Sequence, residues 1–161
     1  MTPEAGRVVG LFLLKEHGQP PQAVASATAI LDQGIEGDLH GQGRPGWRRQ
    51  VLIAAQEDLP LFDLKPGDLR EQITVSMPGL MGLPFGARLK IGEAVFSITG
   101  TCEPCLHLGA LVEKPDREAF RRAVMGHRGM LAKIVQVEGE ARIRMGDAVE
   151  LLYPSAAPSS A

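Results

Sequence analysis

Nineteen glycines and twelve prolines are scattered through 161 residues, with short apolar runs between them. Proline removes a helix donor and an interior glycine costs about 1 kcal/mol, so few stretches can sustain a long helix. The pattern specifies many short strands joined by turns. Strands are expected near residues 7–14, 26–32, 50–54, 72–76, 87–91, 94–99, 132–137, 141–144 and 147–152. The clearest hairpin is ARLKIGEAVFSITG, residues 87–100, turning at "IGE". Residues 132–152, AKIVQVEGEARIRMGDAVELL, read as a second hairpin, with turns at "EGE" and "MGD".

Two segments read as helices. AAQEDLPLF is short and limited by Pro60. Residues 116–125 are stronger: Asp116 is an N-cap, Ala119, Phe120, Ala123 and Val124 form an apolar face, and Gly126 ends the helix. Apolar residues make up 44% of the chain but aromatics only 4%, so Leu, Val, Ile, Ala and Met must build the core. The expected fold is mainly β, a β-rich α+β barrel, closed or nearly closed, with a few short peripheral helices. One domain spans residues 5–152, and the Pro/Ser-rich residues 153–161 are expected to be a disordered tail.

A net charge of −2 provides no global basic field for nucleic acid, though a local anion site stays open. The apolar run Val8–Leu14 is too short for a membrane span and lacks a signal-peptide pattern. The expected compartment is the cytoplasm, with both cysteines reduced.

Those cysteines share one stretch, TGTCEPCLHLG, residues 99–109. As a metal clip, Cys102, Cys105 and His107 supply three ligands where structural zinc wants four, and no second paired motif completes the set. As a redox pair, the motif follows a hairpin rather than the first strand of a βαβ unit. As a single reactive thiol, Cys105 precedes LHLGAL, a helical turn whose N–H groups favour thiolate. Two small buried hydrophobes are the bland reading.

The longest polar loop is GIEGDLHGQGRPGWRRQV, residues 34–51. Its glycines, with Asp38, His40, Arg44, Arg48 and Arg49, make either an anion cradle or a solvated loop. Neither a Walker A motif nor a dinucleotide fingerprint is present. Glu71, in KPGDLREQITV, reads as an acid/base group or as an ion-paired strand end. His17 reads as an exposed loop residue. His127 and Arg128, between two glycines, face a pocket or cap the preceding helix.

Six motifs stand in a recognisable order: EGDLHG, RRQVLIAAQEDL, PGDLREQITV, LPFGARLKIGEAVFSITG, CEPCLHLG, and GHRGMLAKIV running to IRMGDAVEL. Over roughly residues 5–152 the chain resembles a MOSC domain, the module named for the C-terminal part of molybdenum-cofactor sulfurases. The resemblance implies a barrel-like β-rich fold. Pro104-Cys105 and Leu108-Gly109 match the frame of the family cysteine, which implies that Cys105 ligates molybdenum or carries sulfur. Cys102 is then an extra, either a resolving thiol or a small core residue.

The implied cofactor is the molybdenum cofactor, a molybdopterin. Loop 37–49, with Asp38, His40, Arg44 and Arg49, would wall its pocket, an arginine pairing with the pterin phosphate. Glu71 and Gln72 would hydrogen-bond the pterin or substrate, and His107 or Arg128 would hold the thiolate by charge. Many members read Glu-Asn where this chain has Glu71-Gln72. The pyridoxal-phosphate desulfurase half of the sulfurases has no counterpart here. The implied activities are sulfur carriage or reduction of N-hydroxylated compounds, with a cysteine desulfurase or an electron-donor protein as partner. The alternatives are a non-enzymatic module serving a partner enzyme, and a zinc-stabilised barrel.

Overall fold

Val51–Ala55 is apolar and buried at all five positions, so both faces of this strand must be covered. The computed structural model, which describes residues 4–41, 45–104 and 106–152, shows how. Eleven strands occur among these residues: β1 (Glu4–Leu13), β2 (Gln22–Ala23), β3 (Ser26–Ile30), β4 (Gly34–Ile35), β5 (Val51–Ala55), β6 (Ile73–Ser76), β7 (Arg88–Ile91), β8 (Ala94–Thr101), β9 (Met130–Val137), β10 (Arg142–Arg144) and β11 (Ala148–Leu152). Seven of them close a barrel in the order β1-β11-β7-β8-β9-β5-β6 and back to β1. Only β5 and β6 pair in parallel. Closure is made by β11 and β1, with Gly6 opposite Val149 and Arg7 opposite Ala148.

The barrel interior is aliphatic, as the low aromatic content requires. Val8, Ile53, Ile73, Leu89, Ile98 and Val149 meet there around Phe96, which is completely buried. On the outer face of β5, Ala54 joins a second cluster with Leu59, Leu69, Leu108, Phe120 and Val124. That cluster seats two helices, α1 (Leu106–Leu111) and α2 (Arg117–Val124), against the barrel wall. Leu52, Cys102 and Leu131 form a third, small cluster.

All nine expected strands are present. The two-residue strands β2 and β4 are too short to show a period. The 87–100 hairpin forms as β7–β8, with Ile91 opposite Ala94.

The second expected hairpin does not form. Strand β9 has both edges occupied, by β8 and β5, and β11 by β7 and β1. Strand β10 therefore leaves the barrel and pairs with β3, Arg142 opposite Thr28.

The AAQEDLPLF helix is also corrected. Ala54 and Ala55 belong to β5, and Gln56–Phe62 is a 3-10 helix with Pro60 inside. In α2 the Asp116 side chain accepts from Ala119 N at 3.0 Å, as an N-cap should. Its buried face is narrower than expected: Phe120 and Val124 are buried, while Ala119 and Ala123 are exposed. The expected tail, residues 153–161, lies outside the described residues, as do Arg44 and Cys105. No helix among the described residues is long and apolar enough to cross a membrane.

Gly129 shows how tightly β9 enters the barrel. Its φ is +113°, and an added Cβ would sit 2.6 Å from the carbonyl oxygen of Ile53. Gly129→Ala should cost about 1–3 kcal/mol in urea unfolding, through backbone strain and that close approach.

Candidate functional site

Two glycine-flanked turns and one left-handed residue bring cations together outside the barrel. Pro66 and Gly67 turn the chain after the 3-10 helix, and Arg70 N donates to Gly67 O at 2.9 Å. This leaves Arg70 at φ +62°, an uncommon conformation for a residue with a side chain. Gly126, at φ +84°, reverses the chain after α2 and delivers Arg128. The loop leading into β5 supplies Arg49, and a 3-10 turn at Leu39–Gly41 supplies His40.

These groups converge on a cavity of about 300 Å³. His17, His40, Arg49, Arg70, His107 and Arg128 line it. Glu103 is the single carboxylate among its described lining residues. A small recess, shared by His40, Arg49, Arg70 and Gln72, opens beside it. A larger cavity of about 560 Å³ adjoins it, sharing Gly18, Arg70 and Leu111.

The cations sit close enough to act on one another. Burial lowers the Arg70 pKa from its ordinary value, the Arg128 charge lowers it further, and Asp38 partly opposes both. Arg70 Nη1 donates to Gln19 O at 2.7 Å. Arg128 is buried, and its Nη1 and Nη2 reach Glu103 O and Leu69 O at 3.3 and 3.4 Å. Its Nε is buried with no partner among the described residues. An anion in this cavity would relieve the crowded charge.

Beneath the cavity lies a buried polar network. The Asp38 carboxylate accepts from Leu14 N at 2.6 Å, His40 N at 2.9 Å and Gln72 Nε2 at 3.1 Å. Gln72 Oε1 accepts from Leu52 N at 2.7 Å, so this side chain ties β5 to the Asp38 turn. His40 Nδ1 stands 3.3 Å from Gln72 Nε2 and 3.4 Å from Asp38 Oδ2, and its ring stacks on Trp47.

Of the residues singled out from the sequence, His40, Arg49, His107 and Arg128 line the cavity, Asp38 supports it from below, and Gln72 also borders the recess. Glu71 turns elsewhere. It is fully buried, accepting from Gly67 N at 2.9 Å and Thr74 Oγ1 at 2.5 Å, which pins the turn that carries Arg70. Arg44 and Cys105 lie outside the described residues, but Glu103 and His107, which flank Cys105 in sequence, both line the cavity. Cys102 is buried against Leu52 and Leu131. His127 is held away from the cavity lining, with Nδ1 3.3 Å from Asp58 Oδ1 and its ring against Phe62.

Arg70 and His17 were missed as site residues. Arg70 reads in sequence as the entry to a strand, and nothing local marks a non-glycine residue for a left-handed conformation. His17 sits in a loop without any local pattern, and only the tertiary fold brings it to the cavity.

A family model described as the MOSC domain matches residues 44–150. The YuaD protein from Bacillus subtilis has a similar crystal structure, with a TM-score of 0.80 and 22% identity, covering 96% of this chain and 100% of that one. YiiM from Escherichia coli gives a TM-score of 0.68 and 14% identity, covering 92% of this chain and 70% of that one. For YiiM from Geobacillus stearothermophilus the values are 0.64 and 16%, with 98% and 78% covered. At these identities the likeness establishes the fold. No curated protein sequence matches this chain significantly.

Two outcomes test the buried groups. Gln72→Leu strips partners from Leu52 N and Asp38, and should cost about 2–3 kcal/mol in urea unfolding. Burial raises the Glu71 pKa, so the folded chain binds that proton more tightly than the unfolded chain does. The stability this contributes is present below the unfolded value, near ~4.3, and is lost as pH rises through the folded value. Glu71→Gln removes the titration. Unfolding measured between pH ~4 and ~7 should shift in the variant's favour as pH rises, by about 1.4 kcal/mol per unit separating the two pKa values.

Proposed function

Because the chain belongs to the MOSC domain family, we propose that its cationic cavity binds the molybdenum cofactor and that the Cys105 thiolate ligates the metal or carries sulfur beside it. The observation that carries this reading is the convergence of Arg49, Arg70 and Arg128 on one cavity, with a buried Arg128 Nε that lacks a partner among the described residues. A phosphate-bearing pterin fits these donors, since guanidinium groups pair with phosphate through several parallel hydrogen bonds. The soft sulfur of cysteine suits molybdenum and persulfide alike.

The chain's own residues then divide the work. Arg49, Arg70 and Arg128 hold the anionic end. His40 and His107 offer hydrogen bonds around the reacting centre. Asp38 and Gln72 keep His40 and the β5 backbone in place. The adjoining 560 Å³ cavity leaves room for a substrate that reaches the cofactor past Arg70. When bound, the cofactor would supply two-electron chemistry suited to reducing N-hydroxylated compounds.

The zinc-stabilised barrel would draw on Cys102, Cys105 and His107, with His40 or His127 as a fourth ligand, and Cys105 lies outside the described residues. Among the described residues no three His, Cys, Asp or Glu side chains are placed to share a metal. Cys102 and His127, two ligands it would draw on, are occupied in separate packing environments.

Protein purified from its native host should carry molybdenum by elemental analysis, or a persulfide on Cys105 by mass spectrometry. Cys105→Ser should lose both, whereas Cys102→Ser should keep them; equal losses would sink the single-thiol assignment. Arg128→Ala should weaken cofactor retention by about tenfold or more, the loss of one charge-assisted contact. Saturable cofactor binding without turnover on N-hydroxylated substrates would assign the chain as a carrier rather than an enzyme.

A further inference from the structure

The network beneath the cavity points to a role for His40 beyond holding a ligand. The side chain of Asp38 is wholly shielded from solvent, while that of His40 is 28% exposed. His40 lines both the 300 Å³ cavity and the recess beside it. Its Nδ1 faces two partners of opposite character, the Gln72 amide nitrogen at 3.3 Å and the Asp38 carboxylate at 3.4 Å. The orientation of the Gln72 amide is set, because its oxygen accepts from Leu52 N. Its Nε2 hydrogens are therefore the ones directed at Asp38 and His40.

This socket satisfies Nδ1 in either tautomer. When Nδ1 is bare, it accepts from Gln72 Nε2, and Nε2 of the ring carries the proton. When Nδ1 carries the proton, the Asp38 carboxylate stands 3.4 Å away as its ion-pair partner, and the lone pair lies on Nε2 of the ring. The Trp47 ring stacks on the imidazole at 6.2 Å and limits its rotation.

We propose that His40 is the proton-transfer residue of this cavity, with Asp38 and Gln72 as the positioning residues that let Nε2 both give and take a proton. The assignment rests on the cavity being the reaction site proposed above. There, a hydroxyl leaving nitrogen departs as water only if it receives a proton. Reduction of N–OH to N–H and water takes two electrons, delivered by an electron-donor protein through the cofactor, and two protons. One proton moves from Nε2 to the departing oxygen and is replaced at the ring by a solvent proton, and the other reaches the nitrogen from solvent. No electron passes through the residue. Among the described residues, Arg49, Arg70, His17, His107, Arg128 and Glu103 are the other charged or titratable groups around the same cavity.

The apo protein tests the socket without cofactor. In long-range ¹⁵N–¹H spectra of the wild-type chain, the neutral His40 ring should populate the Nδ1–H tautomer. Diethyl pyrocarbonate, which acylates an unprotonated imidazole nitrogen, should modify His40 in peptide mapping. Asp38→Asn replaces the carboxylate with a neutral amide, a weaker partner for the Nδ1 proton, and should slow that modification by about tenfold or more. A wild-type ring found only as Nε2–H would overturn the proposal, as would equal modification rates in wild type and variant. The wild-type spectrum decides even if Asp38→Asn fails to fold. With cofactor loaded, His40→Gln should retain molybdenum while losing turnover; unchanged turnover would also overturn the assignment. Failure of wild type to hold molybdenum would instead remove the cofactor reading and leave the tautomer result standing.

Discussion

Pairing of the first strand with the last is the constraint that organises everything else. Strand β1 meets β11 across nearly the whole described chain, and this contact closes the barrel. A closed barrel has no free edges, so every further element must attach at the ends or on the outer wall. The route of the chain follows from that. Strand β10 finds both candidate partners already paired and crosses to β3. The helices have no edge to cover and settle on the outer face of β5. The loops that leave and re-enter the barrel are what remains to build a site.

The cavity is assembled from exactly those pieces that the barrel does not consume. Arg49 precedes β5, Arg70 precedes β6, Arg128 precedes β9, and His40 lies between β4 and β5. Burying Arg70 beside Arg128 has an electrostatic cost, visible in the lowered Arg70 pKa, which burial lowers most and the Arg128 charge lowers further. One buried carboxylate, Asp38, offsets part of it from beneath. The balance is incomplete, and the buried Arg128 Nε shows where. A site left under-compensated in this way favours an anionic ligand, because binding supplies the missing charge and acceptors together.

The strands were legible because each combines an apolar run with a turn signal, and the tight Gly92-Glu93 turn made β7–β8 unmistakable. Partner choice was not. The 132–152 segment has turn residues suited to a hairpin, yet edge availability, a property of the whole sheet, sent β10 elsewhere. The Asp116 cap was readable from local chemistry, whereas the exposure of Ala119 and Ala123 depended on how far α2 reaches onto the barrel. At the site, Asp38, His40 and Arg49 stood out in a glycine-rich loop, and the fold brings them together. Glu71 and Gln72 are adjacent in sequence and read alike. Their side chains part, Glu71 pinning the 66–71 turn and Gln72 bridging Leu52 to Asp38. Arg70, between that turn and the cavity, carried no local sign of its role.

Cys102 and Cys105 show why spacing alone was ambiguous. A shared motif invites a shared role, but Cys102 belongs to the packing between β5 and β9, through Leu52 and Leu131. Its backbone N–H also donates to Gly129 O at 3.0 Å, tying it to the start of β9. A cysteine held in this way anchors the segment that runs on to Glu103 and His107 at the cavity. Cys105 follows three residues later in the sequence, between Glu103 and His107. The two cysteines of the motif therefore need not share a role, because packing against Leu52 and Leu131 already accounts for the first.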